Sequence, residues 1–271
     1  MGDKEYIVKA YYNNKHIKAR ELDKLLGISQ RAMLSVFKEF GINSKRKNRY
    51  TLNESFFETI DCETKAYILG FLYADGFVGD EKANNIVFSS KDLEIIEKIA
   101  RELEYTGDIR KTRKGGFEQS KKGHSLNFSS SKMANDLRNL GLYPNKSLTL
   151  SELPKIPDKL MRHFLRGYYD GDGSVGIYTN SFLKKGNRYT YERFYWNLLA
   201  TEGMIENFVQ FFGFEKYSMS ESKTKELKYL VISAKEEVQR IYPLLYEGAT
   251  IYLERKFLIW VDYWGPLRSN V

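Results

Sequence analysis

The sequence predicts an α+β protein in which two similar halves, each running helix, two strands, helix, two strands, helix, follow a small N-terminal helical domain. Three observations lead there. Hydrophobic spacing switches repeatedly between helical and strand periods. Two matching Gly-containing segments about 97 residues apart each end in Asp-Gly. A basic N-terminal fifth precedes a nearly neutral body. The expected divisions are residues 1–60, 61–150 and 151–271.

The formal charge of +8 is concentrated at the start. Residues 1–50 hold 12 Lys/Arg against 5 Asp/Glu, and the other 221 hold 31 against 30. That asymmetry suits a nucleic-acid-binding appendage. No apolar run reaches the roughly 18–20 residues that cross a bilayer, and the N-terminus has no secretory core, so an intracellular protein in the cytoplasm or an organelle matrix is expected. Cys62 is the single cysteine, which excludes an internal disulfide and a cysteine zinc site. Only three histidines occur, and they are scattered.

In residues 1–60 the apolar positions Leu22, Leu25, Leu26, Ile28, Met33, Leu34, Phe37 and Phe40 recur at helical spacing around Gly27-Ile28-Ser29, with Ser29 as an N-cap. This is a helix-turn-helix-like pattern. Gln30, Arg31, Ser35 and Lys38 would project from the second helix toward a DNA groove, and Arg46 and Lys47 would follow as phosphate contacts.

The first half then reads as a helix at 64–74, a strand pair closed by Asn85–Ser89, a helix at 91–103, strands at 108–114 and 125–129, and a helix at 132–140. Pro154 and Pro157 flank a short stretch between the copies, which makes residues 144–157 the expected linker. The second half repeats the order: a helix up to Gly171, strands at 175–180 and 189–199, a helix at 202–212, strands at 217–221 and 227–233, and a helix at 235–246.

The repeat is anchored by Ile68-Leu69-Gly70-Phe71-Leu72-Tyr73-Ala74-Asp75-Gly76 and Leu165-Arg166-Gly167-Tyr168-Tyr169-Asp170-Gly171-Asp172-Gly173. Gly70 and Ala74 stand four apart, as do Gly167 and Gly171, giving each helix a stripe of small residues that lets two backbones approach. Each helix ends in Asp followed by Gly, a residue suited to a left-handed helix terminus. Helix C-termini carry partial negative charge, so two carboxylates meeting there favour a divalent cation. Hard oxygen donors suit Mg²⁺ or Mn²⁺. An EF-hand starting at Asp170 fails, because Val175 stands where Gly is required and Ser181 where a bidentate Glu belongs.

These residues resemble the LAGLIDADG homing endonucleases, in the single-chain form with two motifs, over about residues 61–262. The resemblance implies an αββαββα unit in each half, the motif helices forming the interface, and two curved sheets making a saddle that lies in the DNA major groove with the acids over the minor groove. It implies Asp75 and Asp172 as the metal-binding acids, with Ala74 and Gly171, which precede them, counted in the same metal set. It also implies a basic residue in each half's final segment, matched here by Lys146 and by Lys256, for which Arg255 competes. The sixth motif position is Tyr73 in one copy and Asp170 in the other, so Asp170 is either an extra ligand or a capping residue. The strand-end positions that assist metal waters in relatives fall near Ser89 and Ala200, so unequal cutting of the two strands is expected.

Strands that face a groove alternate apolar and polar residues. Arg110, Thr112, Lys114 and Asn127 in the first half and Tyr178, Asn180, Arg188 and Thr190 in the second are the expected DNA-facing set. The implied activity is metal-dependent hydrolysis of both strands of a long, near-asymmetric duplex target by a monomer that uses Mg²⁺. Mn²⁺ would substitute, and Ca²⁺ would support binding without cleavage. Two rivals share the resemblance: an RNA splicing maturase, and a DNA-binding regulator of the same fold that has lost catalysis.

Overall fold

The computed structural model describes residues 3–13, 19–42, 50–112 and 123–265. They form two compact units, Met1–Tyr50 and Thr51–Val271. The division falls ahead of residue 60 because the intervening segment is held by the larger unit. Thr51 N–H donates to Thr106 Oγ1 at 2.8 Å and Asn53 N–H to the Leu103 carbonyl at 2.9 Å. Phe56, Phe57 and Ile60 are buried.

The small unit consists of α1 (Asp3–Asn13), α2 (Ala19–Leu26) and α3 (Gln30–Glu39). Ile7, Leu22, Met33, Val36 and Phe37 form its core, with Leu26 and Ile28 packed against it. Leu25, Leu34 and Phe40, which share the helical spacing, instead point to solvent. The turn needs Gly27, whose φ is +64°. Ser29 caps α3 by accepting from Ala32 N–H at 3.2 Å.

The larger unit repeats one plan. Its first half runs α4 (Glu63–Asp75), β1 (Gly76–Val78), β2 (Asn85–Ser90), α5 (Leu93–Glu102), β3 (Arg110–Lys111), β4 (His124–Ser129) and α6 (Ser131–Asn139). A single 3-10 turn, Lys146–Leu148, lies in the connection. The second half runs α7 (Asp158–Asp172), β5 (Gly173–Lys184), β6 (Asn187–Ala200), α8 (Glu202–Phe212), β7 (Ser218–Glu221), β8 (Lys228–Ile232) and α9 (Lys235–Tyr246), followed by α10 (Glu254–Trp264). The sheets are antiparallel and four-stranded, with equivalent orders β1-β2-β4-β3 and β5-β6-β8-β7.

Each sheet has one buried face. Ile86 and Phe88 on β2 lie opposite Phe128 and Leu126 on β4, and all four are buried. In the second sheet Phe194, Trp196 and Leu198 take the same role. The register differs at the first hairpin. β1 pairs with β2 over three residues, whereas β5 and β6 pair over twelve, to Lys184 opposite Asn187. The longer pairing carries β5 four residues past its expected end and starts β6 two residues before its expected beginning. Beyond Ile177 and Phe194 almost all residues on both faces are exposed, so the distal hairpin projects from the core.

α4 and α7 pack directly on each other. A Cβ on Gly70 would overlap the Phe164 carbonyl and come within 2.9 Å of Tyr168 N. Reciprocally, a Cβ on Gly167 would overlap the Tyr67 carbonyl and come within 2.9 Å of Phe71 N. The obstacles are backbone atoms, so neither helix can yield by a rotamer change. Arg166 is fully buried across this contact. Its guanidinium donates to Glu63 Oε1 at 2.6 Å, to the Leu245 carbonyl at 2.8 Å and to the Ile251 carbonyl at 3.0 Å. Gly70→Ala and Gly167→Ala are each expected to destabilise the larger unit by about 1–3 kcal/mol despite alanine's better helix propensity, measured by urea unfolding. An unchanged midpoint for both would contradict the backbone contact.

Candidate metal centre and nucleic-acid interface

Asp75 is the last residue of α4 and Asp172 the last of α7, and the next residue in each case opens a strand. The helix ends adjoin: a Cβ on Gly171 would overlap the Ala74 Cβ and lie 3.3 Å from Asp75 N. The expectation of left-handed terminal glycines is not met. Gly76 has φ −100° and ψ 166°, and Gly173 has φ −83° and ψ 166°, both extended. Glycine is needed there for space, because a Cβ on Gly76 would meet the Leu72 side chain and backbone, and one on Gly173 the Tyr169 ring. Helix passes into strand without a terminating turn.

That junction leaves the carbonyls of the last helical turn without intrahelical donors. Two buried lysines supply them. Lys146 Nζ donates to the Gly76 carbonyl at 2.8 Å and reaches the Ala74 carbonyl at 3.5 Å. Lys256 Nζ, from α10, donates to the carbonyls of Tyr169, Asp170 and Gly173 at 2.7, 2.8 and 2.5 Å. Each ammonium thus holds backbone on both sides of an acid. A cation at a helix C-terminus is favourable, and these two offset the negative helix ends beneath the carboxylates. Arg255 points elsewhere, pairing with Asp92 at 3.2 Å, so Lys256 is the basic residue beside the acids.

The electrostatics follow from crowding. Asp75 has an edge open to solvent and Asp172 is partly covered, yet surrounding protein desolvates both. Desolvation raises the Asp75 carboxyl pKa against the opposing pull of Lys256, Lys146 and Lys91. Desolvation, with the Asp75 charge added, pushes Asp172 up to about 7 against Lys146 and Lys256. Burial lowers Lys146 against the two acids. It lowers Lys256 to about 8, with Arg255 adding to the effect and Asp170, Asp75 and Asp172 opposing it.

Asp170 is turned away from this centre. Its buried carboxylate accepts from Leu253 N–H at 2.7 Å, Tyr67 Oη at 2.8 Å and Tyr246 Oη at 3.4 Å. It is a tie between α4, α7, α9 and Leu253, the residue that precedes α10. Its counterpart Tyr73 donates to the Leu140 carbonyl. Ser89 lies opposite Ser125 on the outward sheet face, while Ala200 is buried.

Among the described residues no group of three or more His, Cys, Asp and Glu side chains could hold a metal. A cation here would depend on the two carboxylates and on the carbonyls of Ala74 and Gly171. Among the described residues neither carboxylate accepts a hydrogen bond, so its oxygens stay available. Few protein ligands, all hard oxygens, fit a cation such as Mg²⁺ that retains several waters.

Register sorts the expected DNA-facing residues. Arg110, opposite Ser125, and Asn127, opposite Val87, are exposed on the face away from the helices. Thr112 is half-buried and its Oγ1 accepts from Gly123 N–H at 2.8 Å. Tyr178 and Asn180 lie on the outward face of the second sheet, opposite Arg193 and Tyr191. Arg188 and Thr190 do not join them: strand alternation gives these two the parity of the buried Phe194 and Trp196, so they occupy the other face of the hairpin. Tyr189, Tyr191 and Arg193 take the outward positions instead: counting back by twos from the buried Trp196 reaches Thr190 and Arg188 and leaves these three for the other face. Gln30, Arg31, Ser35 and Lys38 are exposed on α3 of the small unit. Arg46, Lys47 and Lys114 lie outside the described residues.

A carboxyl raised in the folded state favours the protonated fold. The cost of ionising Asp172 is therefore absent at low pH and grows as pH rises from the ordinary carboxylate range through about 7. Without divalent cations, Asp172→Asn is expected to raise the melting temperature at pH 8 and to leave it nearly unchanged at pH 5. Ca²⁺ affinity should rise between pH 6 and pH 8, read by the Ca²⁺-induced melting shift. Equal melting of the wild type and Asp172→Asn at pH 8 would contradict the crowded carboxylates.

No family model matches this chain. A curated protein described as uncharacterized protein MJ0314, from Methanocaldococcus jannaschii, is 33% identical over 141 residues, which cover 48% of this chain and 46% of that protein. The matched region thus spans about half the length of that relative. Among solved structures, meganuclease I-SmaMI bound to uncleaveable DNA superposes with a TM-score of 0.50 at 14% identity, covering 73% of this chain and 87% of that one. The I-LtrWI LAGLIDADG homing endonuclease bound to target DNA gives a TM-score of 0.50 at 13% identity, covering 78% and 89%. At such identities the likeness establishes architecture, and the paired αββαββα halves of this chain have the two-domain saddle fold of the LAGLIDADG proteins.

Proposed function

We propose that the protein is a site-specific endonuclease that hydrolyses both strands of duplex DNA with a divalent metal. The observation that carries this reading is the pair of carboxylates, Asp75 and Asp172, which accept no hydrogen bond among the described residues and stand at adjoining helix ends between two equivalently ordered sheets. In this reading the acids, with the Ala74 and Gly171 carbonyls, hold Mg²⁺ or Mn²⁺. A cation bound there polarises a phosphodiester and lowers the pKa of bound water. Lys146 and Lys256 keep the acids in register. The outward sheet faces, with Arg110 and Asn127 on one side and Tyr178, Asn180 and Arg193 on the other, hold the duplex.

Because one chain carries two unlike halves, the target is long and not a perfect palindrome, and a monomer suffices. The fold's two solved relatives described above both hold DNA. The small unit adds a second grip through Gln30, Arg31, Ser35 and Lys38 on α3, in the manner of a helix-turn-helix. Ca²⁺ would support binding without cleavage. An enzyme acting on DNA would work inside the cell.

Selection of cleaved sites from a randomised duplex library in Mg²⁺, with Ca²⁺ as the binding-only arm, tests the activity. Asp75→Asn and Asp172→Asn should each abolish double-strand cleavage while Ca²⁺-supported binding persists. Specific binding without cleavage in Mg²⁺ or Mn²⁺ would instead favour the regulator, and preference for folded intron RNA the maturase. Removal of residues 1–50 should weaken binding and reduce the slope of log affinity against log salt by roughly 0.9 for each phosphate that the small unit neutralises. An unchanged slope would remove the small unit from the DNA interface.

A further inference from the structure

We propose that the two lysines do different work: Lys256 is a positioning residue whose ammonium is fully occupied in clamping the backbone around Asp172, whereas Lys146 retains a donor for the reacting phosphate. This inference rests on the endonuclease reading. An ammonium has three N–H donors. Lys256 meets three carbonyls at 2.5–2.8 Å, from Tyr169 and Asp170 before the acid and Gly173 after it. Its Nζ also lies 4.8 Å from the centroid of the Tyr169 ring. To reach a phosphate it would have to abandon three buried carbonyls, of which that of Tyr169 also accepts from Gly173 N–H.

Lys146 is placed equivalently but less fully engaged. Only the Gly76 carbonyl is close, at 2.8 Å, and the Ala74 carbonyl is at 3.5 Å. At least one of its N–H groups is uncommitted among the described residues. The two lysines also arise from different supports. Lys146 stands at the start of a three-residue 3-10 turn, and Lys256 lies in the first turn of α10, an eleven-residue helix. A side chain on the short turn can shift toward substrate with less disturbance than one fixed by a helix and three acceptors. The two strands therefore depend unequally on lysine, and only the Lys146 side has a lysine donor to offer.

Lys146→Met and Lys256→Met separate these roles when measured in three ways: melting temperature without metal, Tb³⁺ titration by sensitised luminescence, and single-turnover cleavage resolved by strand. Lys256→Met should lower the melting temperature by roughly 3–10 °C and weaken Tb³⁺ binding about tenfold. Its cleavage defect should be recovered by raising Mg²⁺, the signature of a positioning role. Lys146→Met should slow one strand by roughly 100-fold at saturating Mg²⁺, with a smaller melting shift and little change in Tb³⁺ affinity.

If Lys256→Met does not fold, Lys256→Gln, which keeps two N–H donors, carries the same comparison. A Lys256 variant that slows a strand at saturating Mg²⁺ as much as Lys146→Met, with melting and Tb³⁺ affinity unmoved, would overturn the assignment. If the wild type cuts no duplex, the endonuclease reading fails. The melting and Tb³⁺ measurements then still judge the clamp, which is upheld by a loss in Lys256→Met that Lys146→Met does not share and overturned by its absence.

Discussion

The backbone contact between α4 and α7 is the constraint from which the rest of the larger unit follows. Gly70 sits against the Phe164 carbonyl and Gly167 against the Tyr67 carbonyl, so the helix axes cannot separate without opening a gap along the whole interface. Two helices held this way end together. Their C-termini bring two negative dipole ends and two carboxylates into one place, and the neighbouring elements are arranged around the resulting charge. Lys146 and Lys256 approach from chain segments 72 and 86 residues away from the carbonyls they hold.

A symmetric contact has been given asymmetric support. On the second-half side, Arg166 and Asp170 are buried charges with full sets of partners, tying α7 to the N-terminus of α4, to the end of α9 and to the start of α10. The first half has Tyr73 and Leu140 in place of Asp170 and its partners. Breaking one member of a buried charged pair leaves the other uncompensated, which makes such networks rigid even where their net stabilisation is small. Rigidity on the α7 side is consistent with a lysine saturated by three carbonyls, and the leaner first half with one that is not.

The sheets carry the asymmetry outward. A three-residue pairing of β1 with β2 keeps the first hairpin close to its core, whereas twelve paired residues carry β5 and β6 beyond theirs. Tyr178, Phe182, Tyr189 and Tyr191 are all exposed on one face of that extension, with Phe182 and Tyr189 stacked at 5.5 Å. A two-stranded β-ribbon is one of the elements that a DNA major groove admits.

Much of this was legible in the residues themselves. The doubled Gly-x-x-x-small stripe identified the helix interface, because small residues at helical spacing have a direct steric meaning, and the paired Asp-Gly ends marked where the two helices finish side by side. The helices at 202–212 and 235–246 were readable from amphipathic period alone, and Ser29 from its capping chemistry. Other features required the tertiary structure. The glycines after the acids serve close packing in extended backbone, since the obstacle is a side chain one turn back rather than a left-handed φ. Arg188 and Thr190 share the parity of Phe194 and Trp196, and only tertiary packing decided that this parity is the buried one. Asp170, in sequence either an extra ligand or a capping residue, is a buried tie, because only the fold brings Leu253, Tyr67 and Tyr246 to it. Sequence alone thus determined which groups could bear charge at the helix ends. The tertiary structure decided which partners each charge meets, because long-range contacts set the local dielectric and the hydrogen bonds on which that chemistry depends.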